Sequence, residues 1–359
     1  MSEKHKNMNF LITRLQNIGD ALVFIPAVRA LRQAFPNAQI SLLVKHAGGI
    51  QIFKNCPYID DIIIVKNRSL LEKFRLIKEF RKRKIDWFII SPQDLGRVPW
   101  AILGGAKKIA GFPSVKNYGK IRREKLPALL DIKPNYDSTK TEIENCLRLI
   151  EDVIDYLLPN NDFQFSKLLE FYYNPSDKSS AEKLLAKNNV SAKFIVSAPV
   201  SKREAKNWHS NRFLKIFEKL IQLNYNIVLL GGKAEKNKID ELAEKIGQNC
   251  VSLAGITSLS QAAAIIEKAA LFIGPDSGPA FIATAMKTPA VVLYSAADYY
   301  RWRVAESAVP RTEIFHPFPC NPCKFQVCPK EKKCIDAISV EEVWKKISDI
   351  IYDNLKSDD

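Results

Sequence analysis

One stretch of the sequence, residues 271–286, carries the chemistry best suited to binding an anion. An apolar run at its start predicts a buried strand, and an Ala-rich segment from about Pro279 predicts a helix. Between them stand Asp276, Ser277 and Gly278. Free N–H groups and the positive end of the helix dipole would favour a phosphate there. An ordinary strand-to-helix turn with Ser277 as N-cap explains the same residues equally well.

A second carboxylate, Asp20, follows the first predicted strand and precedes an apolar helical segment. It could act as a general base that takes a proton from an acceptor hydroxyl. From spacing alone, an N-cap aspartate is the better interpretation. Arg14 and Gln16 lie on the same loop and could contact an anionic ligand.

Cations and one glutamate follow two strands of the second half. Lys202 and Lys206 lie on the loop after the predicted strand 194–197, where they would suit a diphosphate leaving group. A solvated basic loop is equally plausible. The next strand ends in a Gly-Gly turn, and Glu235 after it could bind a ribose or a base. Alternatively, Glu235 only complements the dipole of the following helix.

The sequence contains seven cysteines. Three stand in apolar contexts, which predicts buried thiols in a reduced compartment. The other four cluster near the C-terminus: Cys320, Cys323, Cys328 and Cys334. Their spacing is irregular and no histidine follows, which favours a structural cluster of thiols that holds a loop. A metal site remains the alternative interpretation.

Strand and helix patterns alternate along the chain, which predicts an α/β protein with two doubly wound, Rossmann-like domains. Helices are predicted over about 21–35 and 70–83, and the segment 158–177 breaks the periodicity and is interpreted as the linker. We place an N-terminal domain at 1–165 and a C-terminal domain at 175–338. A final helix within 339–359 is expected to pack back on the first domain. In this arrangement the carboxyl ends of the two sheets would face a central cleft.

The composition narrows the function classes. With 54 Lys and Arg against 39 Asp and Glu, the net charge is +15, which favours phosphorylated substrates or anionic lipid headgroups. No zinc-finger, homeodomain or RNP-like pattern accompanies it, so we expect no nucleic-acid partner. The basic run 78–84 is interpreted as the solvated end of a helix. The run 116–125 is a loop that could contact a membrane surface.

Several common signatures are absent from the sequence. There is no Gly-x-Gly-x-x-Gly and no P-loop, which argues against dehydrogenases and P-loop enzymes. There is no Asp-x-Asp either, so protein donors would have to neutralise a bound diphosphate. No apolar run is long enough to span a bilayer, and the first residues lack a signal peptide. These features predict a cytoplasmic protein.

Four motifs in register resemble glycosyltransferase family 9, the lipopolysaccharide heptosyltransferases of GT-B architecture. They are Gly19–Pro26, Lys206–Trp208, Gly231–Glu235 and Gly274–Pro279. The resemblance covers residues 8 to 350 and includes the C-terminal cysteine cluster. One departure is Phe281, which stands where the family commonly has histidine; a phenyl ring cannot donate a hydrogen bond.

The resemblance implies an inverting transferase without cofactor or metal that moves a sugar, heptose from ADP-heptose, onto a lipopolysaccharide inner-core acceptor. It implies that Asp20 is the catalytic base and that Lys206 binds the donor phosphate. Glu235 would contact the nucleoside and Asp276 the sugar hydroxyls, while Ser277 and Gly278 would bind the diphosphate. Basic loops would meet the acceptor at an anionic membrane surface, as a peripheral protein at the inner face of the cytoplasmic membrane.

Three alternatives remain at this stage. The donor could be another nucleotide sugar. The same architecture also serves nucleotide-sugar epimerases, which need no acceptor. A non-catalytic relative that only binds a sugar nucleotide is suggested by Phe281.

Overall fold

The computed structural model describes residues 7–14, 17–45, 47–67, 69–92, 96–117, 120–123, 127–304, 306–331 and 333–357. The chain forms two compact units. The first comprises Met1–Tyr172 and Tyr300–Ala305, and the second comprises Tyr173–Tyr299 and Glu306–Asp359. The short segment Tyr300–Ala305, which the sequence places in the second domain, thus belongs to the first unit.

The first unit is built on a five-stranded parallel sheet with the order β3-β2-β1-β4-β5. Its strands are rich in Ile, Leu, Val and Phe because helices cover both faces of such a sheet. The strands are β1 (Asn9–Thr13), β2 (Gln39–Val44), β3 (Asp61–Ile64), β4 (Trp87–Ile90) and β5 (Lys108–Gly111). An antiparallel hairpin, β6 (Ser114–Asn117) with β7 (Lys120–Arg123), follows.

The helices described in this unit are α1 (Ile18–Leu22), α2 (Ile25–Ala34), α3 (Ala47–Phe53), α4 (Leu70–Arg83), α5 (Val98–Leu103) and α6 (Glu142–Leu157). The single helix that the sequence predicts over 21–35 is interrupted between α1 and α2. Pro26 explains the break, because proline fits the first turn of a new helix but not the interior of a continuous one.

The second unit is built on a six-stranded parallel sheet with the order β10-β9-β8-β11-β12-β13. Its strands are β8 (Phe194–Ser197), β9 (Asn226–Leu229), β10 (Cys250–Ser252), β11 (Leu271–Pro275), β12 (Ala290–Tyr294) and β13 (Arg311–Phe315). Strand β13 is absent from the sequence prediction.

The helices described in the rest of the chain are α7 (Pro175–Lys187), α8 (Ser210–Gln222), α9 (Lys236–Ile246), α10 (Leu259–Lys268), α11 (Gly278–Ala285), α12 (Tyr299–Trp302), α13 (Lys333–Asp336) and α14 (Val340–Ser357). Most of α12 is grouped with the first unit. Helix α7 begins within the segment 158–177 that the sequence interprets as a linker.

The C-terminal helix α14 is part of the second unit's core. It packs beside α8 and β12. Val343, Ile347, Ile350 and Ile351 are buried in the same apolar cluster as Phe213 and Phe217 of α8. These contacts lie within the second unit. Packing of this helix on the first domain stays a prediction. Within the described part of the chain, no helix combines the length and the apolar character needed to cross a membrane.

Candidate active site

Each sheet reverses its strand order at one point, between β1 and β4 in the first unit and between β8 and β11 in the second. In doubly wound sheets, ligands bind outside the carboxyl ends of the strands at this point. Asp20 follows β1, Lys206 follows β8, and Asp276 follows β11. These three predicted residues therefore lie on the segments that follow the strands beside which the strand order reverses. We call this place in each sheet its switch point.

The second unit brings Lys206 and Asp276 into direct contact. The Lys206 ammonium lies 2.5 Å from the Asp276 carboxylate and donates a second hydrogen bond, of 2.9 Å, to the Asp276 carbonyl oxygen. The Asp276 side chain is only 3% exposed, whereas that of Lys206 is 17% exposed. The pair therefore presents its cation toward solvent and keeps its carboxylate buried, which suits an anionic ligand.

Lys206 is held on a braced loop. A short 3-10 turn, Glu204–Lys206, carries it. The Arg203 Nε donates to the Phe325 carbonyl at 2.7 Å, and the Ala205 amide donates to the Gln326 carbonyl at 2.9 Å. The cysteine-bearing loop is thus bonded to the loop that carries Lys206, and it fixes the backbone on which the ammonium stands.

Ser277 occupies the N-cap position of α11, but it does not cap the helix with its side chain. Its hydroxyl oxygen is buried and has no hydrogen-bond partner among the residues that the structure describes. The first N–H groups of a helix also lack intrahelical acceptors. A buried hydroxyl beside the start of α11 at Gly278 is the arrangement expected of an anion-binding turn, and it weakens the N-cap interpretation.

Phe281, the departure from the family pattern, lies on α11 and is 3% exposed. Its neighbours on the helix, Ala280 and Ile282, are also buried. At this position a histidine would have to bury a polar ring.

Glu235 makes a local contact. Its carboxylate accepts a hydrogen bond of 2.9 Å from the Gly232 amide, so it closes the Gly-Gly turn after β9. A Cβ at Gly231 would come within 2.2 Å of Ile239 Cδ1, so a larger residue there would require the Ile239 side chain to shift. The nucleoside contact of Glu235 stays a prediction.

In the first unit, Asp20 is the third residue of α1 and is 9% exposed. Its carboxylate accepts a hydrogen bond of 3.0 Å from the Asn17 amide. Arg14 Nε donates to the Asp20 carbonyl oxygen at 2.6 Å. Asp20 therefore is not the N-cap itself, and its backbone is fixed by a buried guanidinium. Gln16 lies outside the described residues.

Sequence reasoning missed the group that holds Arg14. Glu142, at the start of α6, is fully buried; its carboxylate lies 3.7 Å from Arg14 Nη1 and 2.9 Å from Arg301 Nε. Tyr136 donates its hydroxyl to the same carboxylate at 2.8 Å. Burial alone would raise the pKa of the Glu142 carboxyl, but Arg301 and Arg14 beside it hold the pKa below its usual value. We call these residues, with Asp20, the Glu142 network.

Arg14 itself is fully buried. The geometry therefore favours a positioning role for this side chain over the ligand contact that the sequence suggests. Lys202, the other predicted phosphate contact, is exposed on the loop that carries Lys206.

All seven cysteines are free thiols. Cys323 and Cys334 are buried together with Ala296, and Cys320 packs against them. The Cys323 amide donates to the Ala296 carbonyl at 2.5 Å, which ties the loop to the residues after β12. Among the described side chains, no three His, Cys, Asp or Glu groups are placed to hold a metal ion. These contacts tie the cysteine cluster to the residues after β12. Its structural role stays a prediction.

Comparison with known proteins gives this site a context. The profile of glycosyltransferase family 9 (heptosyltransferase) matches residues 74–334. The chain belongs to this family. Lipopolysaccharide heptosyltransferase 3 of Escherichia coli K12 is 26% identical over 362 residues, which cover 95% of this chain and 97% of that protein. The chain is therefore a glycosyltransferase, as the resemblance in its motifs implies.

Solved family 9 structures confirm the GT-B fold class. The glycosyltransferase family 9 protein from Veillonella parvula superposes with a TM-score of 0.82 at 19% identity, covering 98% of this chain and 99% of that one. The ADP-heptose lipopolysaccharide heptosyltransferase II of E. coli superposes with a TM-score of 0.75 at 18% identity, covering 97% and 99%.

Proposed function

We propose that this family 9 enzyme transfers heptose from ADP-heptose to a lipopolysaccharide core acceptor. The observation that carries the proposal is the Lys206–Asp276 pair, whose ammonium stands at the switch point of the second sheet. The names of the E. coli relatives, a lipopolysaccharide heptosyltransferase and an ADP-heptose enzyme, supply the substrates.

In the proposed reaction, the second unit binds the donor. Lys206 and the N-terminus of α11, with Ser277 and Gly278, would stabilise the negative charge that develops on the departing diphosphate. Asp276 would hold Lys206 in place and accept hydrogen bonds from sugar hydroxyls. Glu235 would contact the nucleoside. These protein donors would take the place of a metal ion.

The base would come from the first unit. Asp20 would remove the proton from an acceptor hydroxyl while that oxygen attacks the anomeric carbon of heptose. The bond from this carbon to the diphosphate oxygen would break in the same displacement, so the anomeric configuration would invert. The proton would end on Asp20, and ADP would leave.

The acceptor is lipid-linked and phosphorylated, so a protein of net charge +15 would be attracted to it and to the anionic membrane that holds it. We propose peripheral association at the inner face of the cytoplasmic membrane. Lys202, Arg14 and Gln16 are the acceptor or phosphate contacts that the sequence suggests; Lys202 is exposed and available for this role.

The test is ADP release from ADP-heptose with and without a lipopolysaccharide core acceptor, in the presence of a chelator. We expect release only with acceptor, undiminished by the chelator, and a product of inverted anomeric configuration by NMR. Conversion of the donor without acceptor would support an epimerase instead. Donor binding in calorimetry without any transfer would support the non-catalytic interpretation that Phe281 suggests.

A further inference from the structure

Helix α4 exposes large apolar side chains to solvent. Leu70 and Phe74 are each 68% exposed, and Leu71 is 82% exposed. They lie in its first two turns, directly after the N-cap Ser69, whose hydroxyl accepts a hydrogen bond from the Glu72 amide. Because the helix start is well formed, these side chains are held outward and are not part of a frayed end.

The same side of α4 continues as a row of cations. At 3.6 residues per turn, positions 70, 74, 78, 81 and 82 lie on one side of a helix. The opposite side buries Glu72, Leu76 and Phe80. We define the α4 face as the solvent side, which is apolar in its first half and basic in its second: Leu70, Leu71, Phe74, Lys78, Arg81 and Lys82.

The acidic side chains of α4 form ion pairs with arginines that lie outside the α4 face. Glu72 is bound by Arg75, and Glu79 lies 2.8 Å from Arg83. Within the described chain, no carboxylate lies within salt-bridge distance of the three cations of the α4 face.

The neighbouring helix α5 extends the apolar part. Arg81 Nε donates to the Leu103 carbonyl at 2.8 Å, and Ile102 and Leu103 are about half exposed. The basic end of the α4 face therefore borders a second pair of exposed apolar side chains.

We propose that the α4 face docks this enzyme on an anionic lipid bilayer. Leu71 and Phe74 enter the headgroup region, while Lys78 and Lys82 contact lipid phosphates. Interfacial helices bind membranes with apolar and basic side chains in this way. Charge complementarity selects lipid, because three cations without acidic partners meet a surface of uniform negative charge. The inference deepens the proposed function by assigning the membrane contact to a surface, and it replaces the solvated-end interpretation of the run 78–84.

The experiment is sedimentation of the full chain with phosphatidylcholine vesicles, with and without added phosphatidylglycerol. Two double variants, Leu71→Ser with Phe74→Ser and Lys78→Gln with Lys82→Gln, are compared with Lys238→Gln with Lys245→Gln, a pair of exposed lysines on α9. Leu129→Ser, an exposed apolar side chain of the first unit, is the second control. Thermal unfolding checks that each variant is folded.

We expect salt-sensitive binding to the anionic vesicles only, with an affinity about 30-fold lower in the lysine double variant at about 1 kcal/mol per cation. The apolar double variant should also detach, and both controls should bind like wild type. Equal binding of all variants would overturn the proposal. A wild-type dimer that the apolar double variant dissociates, with no vesicle binding, would overturn it in favour of a protein partner.

Transfer to a detergent-solubilised acceptor separates this inference from the proposed function. All four variants should retain it, since none touches the candidate active site. Vesicle binding without any transfer would refute the proposed function and leave the docking surface standing.

Discussion

At the residue scale, the sequence predicts which groups carry chemistry but not how they pair. Lys206 and Asp276 are both predicted as donor ligands, yet their ion pair joins residues 70 positions apart. It depends on β8 and β11 being neighbours in the sheet, which no local pattern reveals. Asp20 is predicted beside the first strand, whereas its support by Arg14 and Glu142 is not.

The Lys206–Asp276 pair makes a stability prediction. Lys206→Met leaves a buried carboxylate unpaired, so the free energy of unfolding should fall by about 1–3 kcal/mol. Asp276→Asn alone should also destabilise, and the double variant should lose less than the sum because the two residues are coupled. Denaturant unfolding measures all three.

The control for this pair is Lys268→Met, which breaks an exposed ion pair with Glu182 and should cost less than about 1 kcal/mol. Calorimetry with ADP should show weakened binding for Lys206→Met but not for Lys268→Met. Additive losses in the double variant, or full ADP affinity without the Lys206 ammonium, would contradict the account.

The Glu142 network makes a second prediction. Glu142→Gln removes the buried carboxylate that Arg14 and Arg301 both contact, and we expect a loss of about 3–5 kcal/mol in the free energy of unfolding. Glu144→Gln, on the same helix, is the matched control. Its carboxylate accepts from the Thr141 amide and binds Lys167 at the surface, so about 1 kcal/mol is expected.

The pH dependence of this network follows from the lowered pKa of Glu142. Its folded-state value lies below its ordinary value of 4.5, so the ionised carboxylate stabilises the folded chain above pH 4.5. That contribution is lost as the pH falls below 4.5 toward the folded-state pKa. Denaturant unfolding from neutral to acidic pH should therefore show a steeper decline for wild type than for Glu142→Gln. Parallel curves would mean that the pKa of Glu142 is the same in the folded and the unfolded chain, against the lowered pKa expected here.

At the element scale, apolar periodicity locates most strands and the longer helices. The prediction for α4, Leu70–Arg83, agrees with the structure because a serine N-cap and a regular apolar spacing mark it. Strand β13 is missed since its sequence, Arg-Thr-Glu-Ile-Phe, alternates too weakly. The start of α7 is missed because Asn174-Pro175 is interpreted as a break in regular structure. An Asn at the N-cap followed by Pro at the first helical position is also a common start of a helix.

Helix α11 makes the prediction that bears on the departure from the family pattern. Phe281→His restores the common residue but buries an imidazole where Phe281 is 3% exposed. We expect the free energy of unfolding to fall by about 1–3 kcal/mol and the transfer rate not to rise. A faster enzyme of unchanged stability would show instead that this position faces the donor in this chain too.

At the scale of the whole molecule, the alternation of strands and helices predicts two doubly wound sheets, and both are found with parallel strands. The predicted division of the chain differs from the structure at one short segment, Tyr300–Ala305, which belongs to the first unit. Its Arg301 lies between β12 and β13 in sequence but binds Glu142 of the first unit. The local sequence does not indicate that this segment joins the first unit, because the ion pair depends on a single arginine on a short helix.

Net charge acts at the same scale. The excess of 15 positive charges is a property of composition and is read directly from the sequence. Where it accumulates beside exposed apolar side chains is a property of the fold, since only the helix geometry of α4 places Phe74 and Lys78 on one side.

We propose that this family 9 enzyme uses Asp20 as the base for sugar transfer. The most direct measurement is single-turnover transfer from ADP-heptose to a lipopolysaccharide core acceptor by wild type and Asp20→Asn. The asparagine keeps an oxygen for the Asn17 amide but cannot take a proton at neutral pH. We predict a rate about 10²–10⁴-fold lower with unchanged ADP-heptose affinity and unchanged thermal unfolding. Transfer at the wild-type rate by a folded Asp20→Asn enzyme would contradict the account.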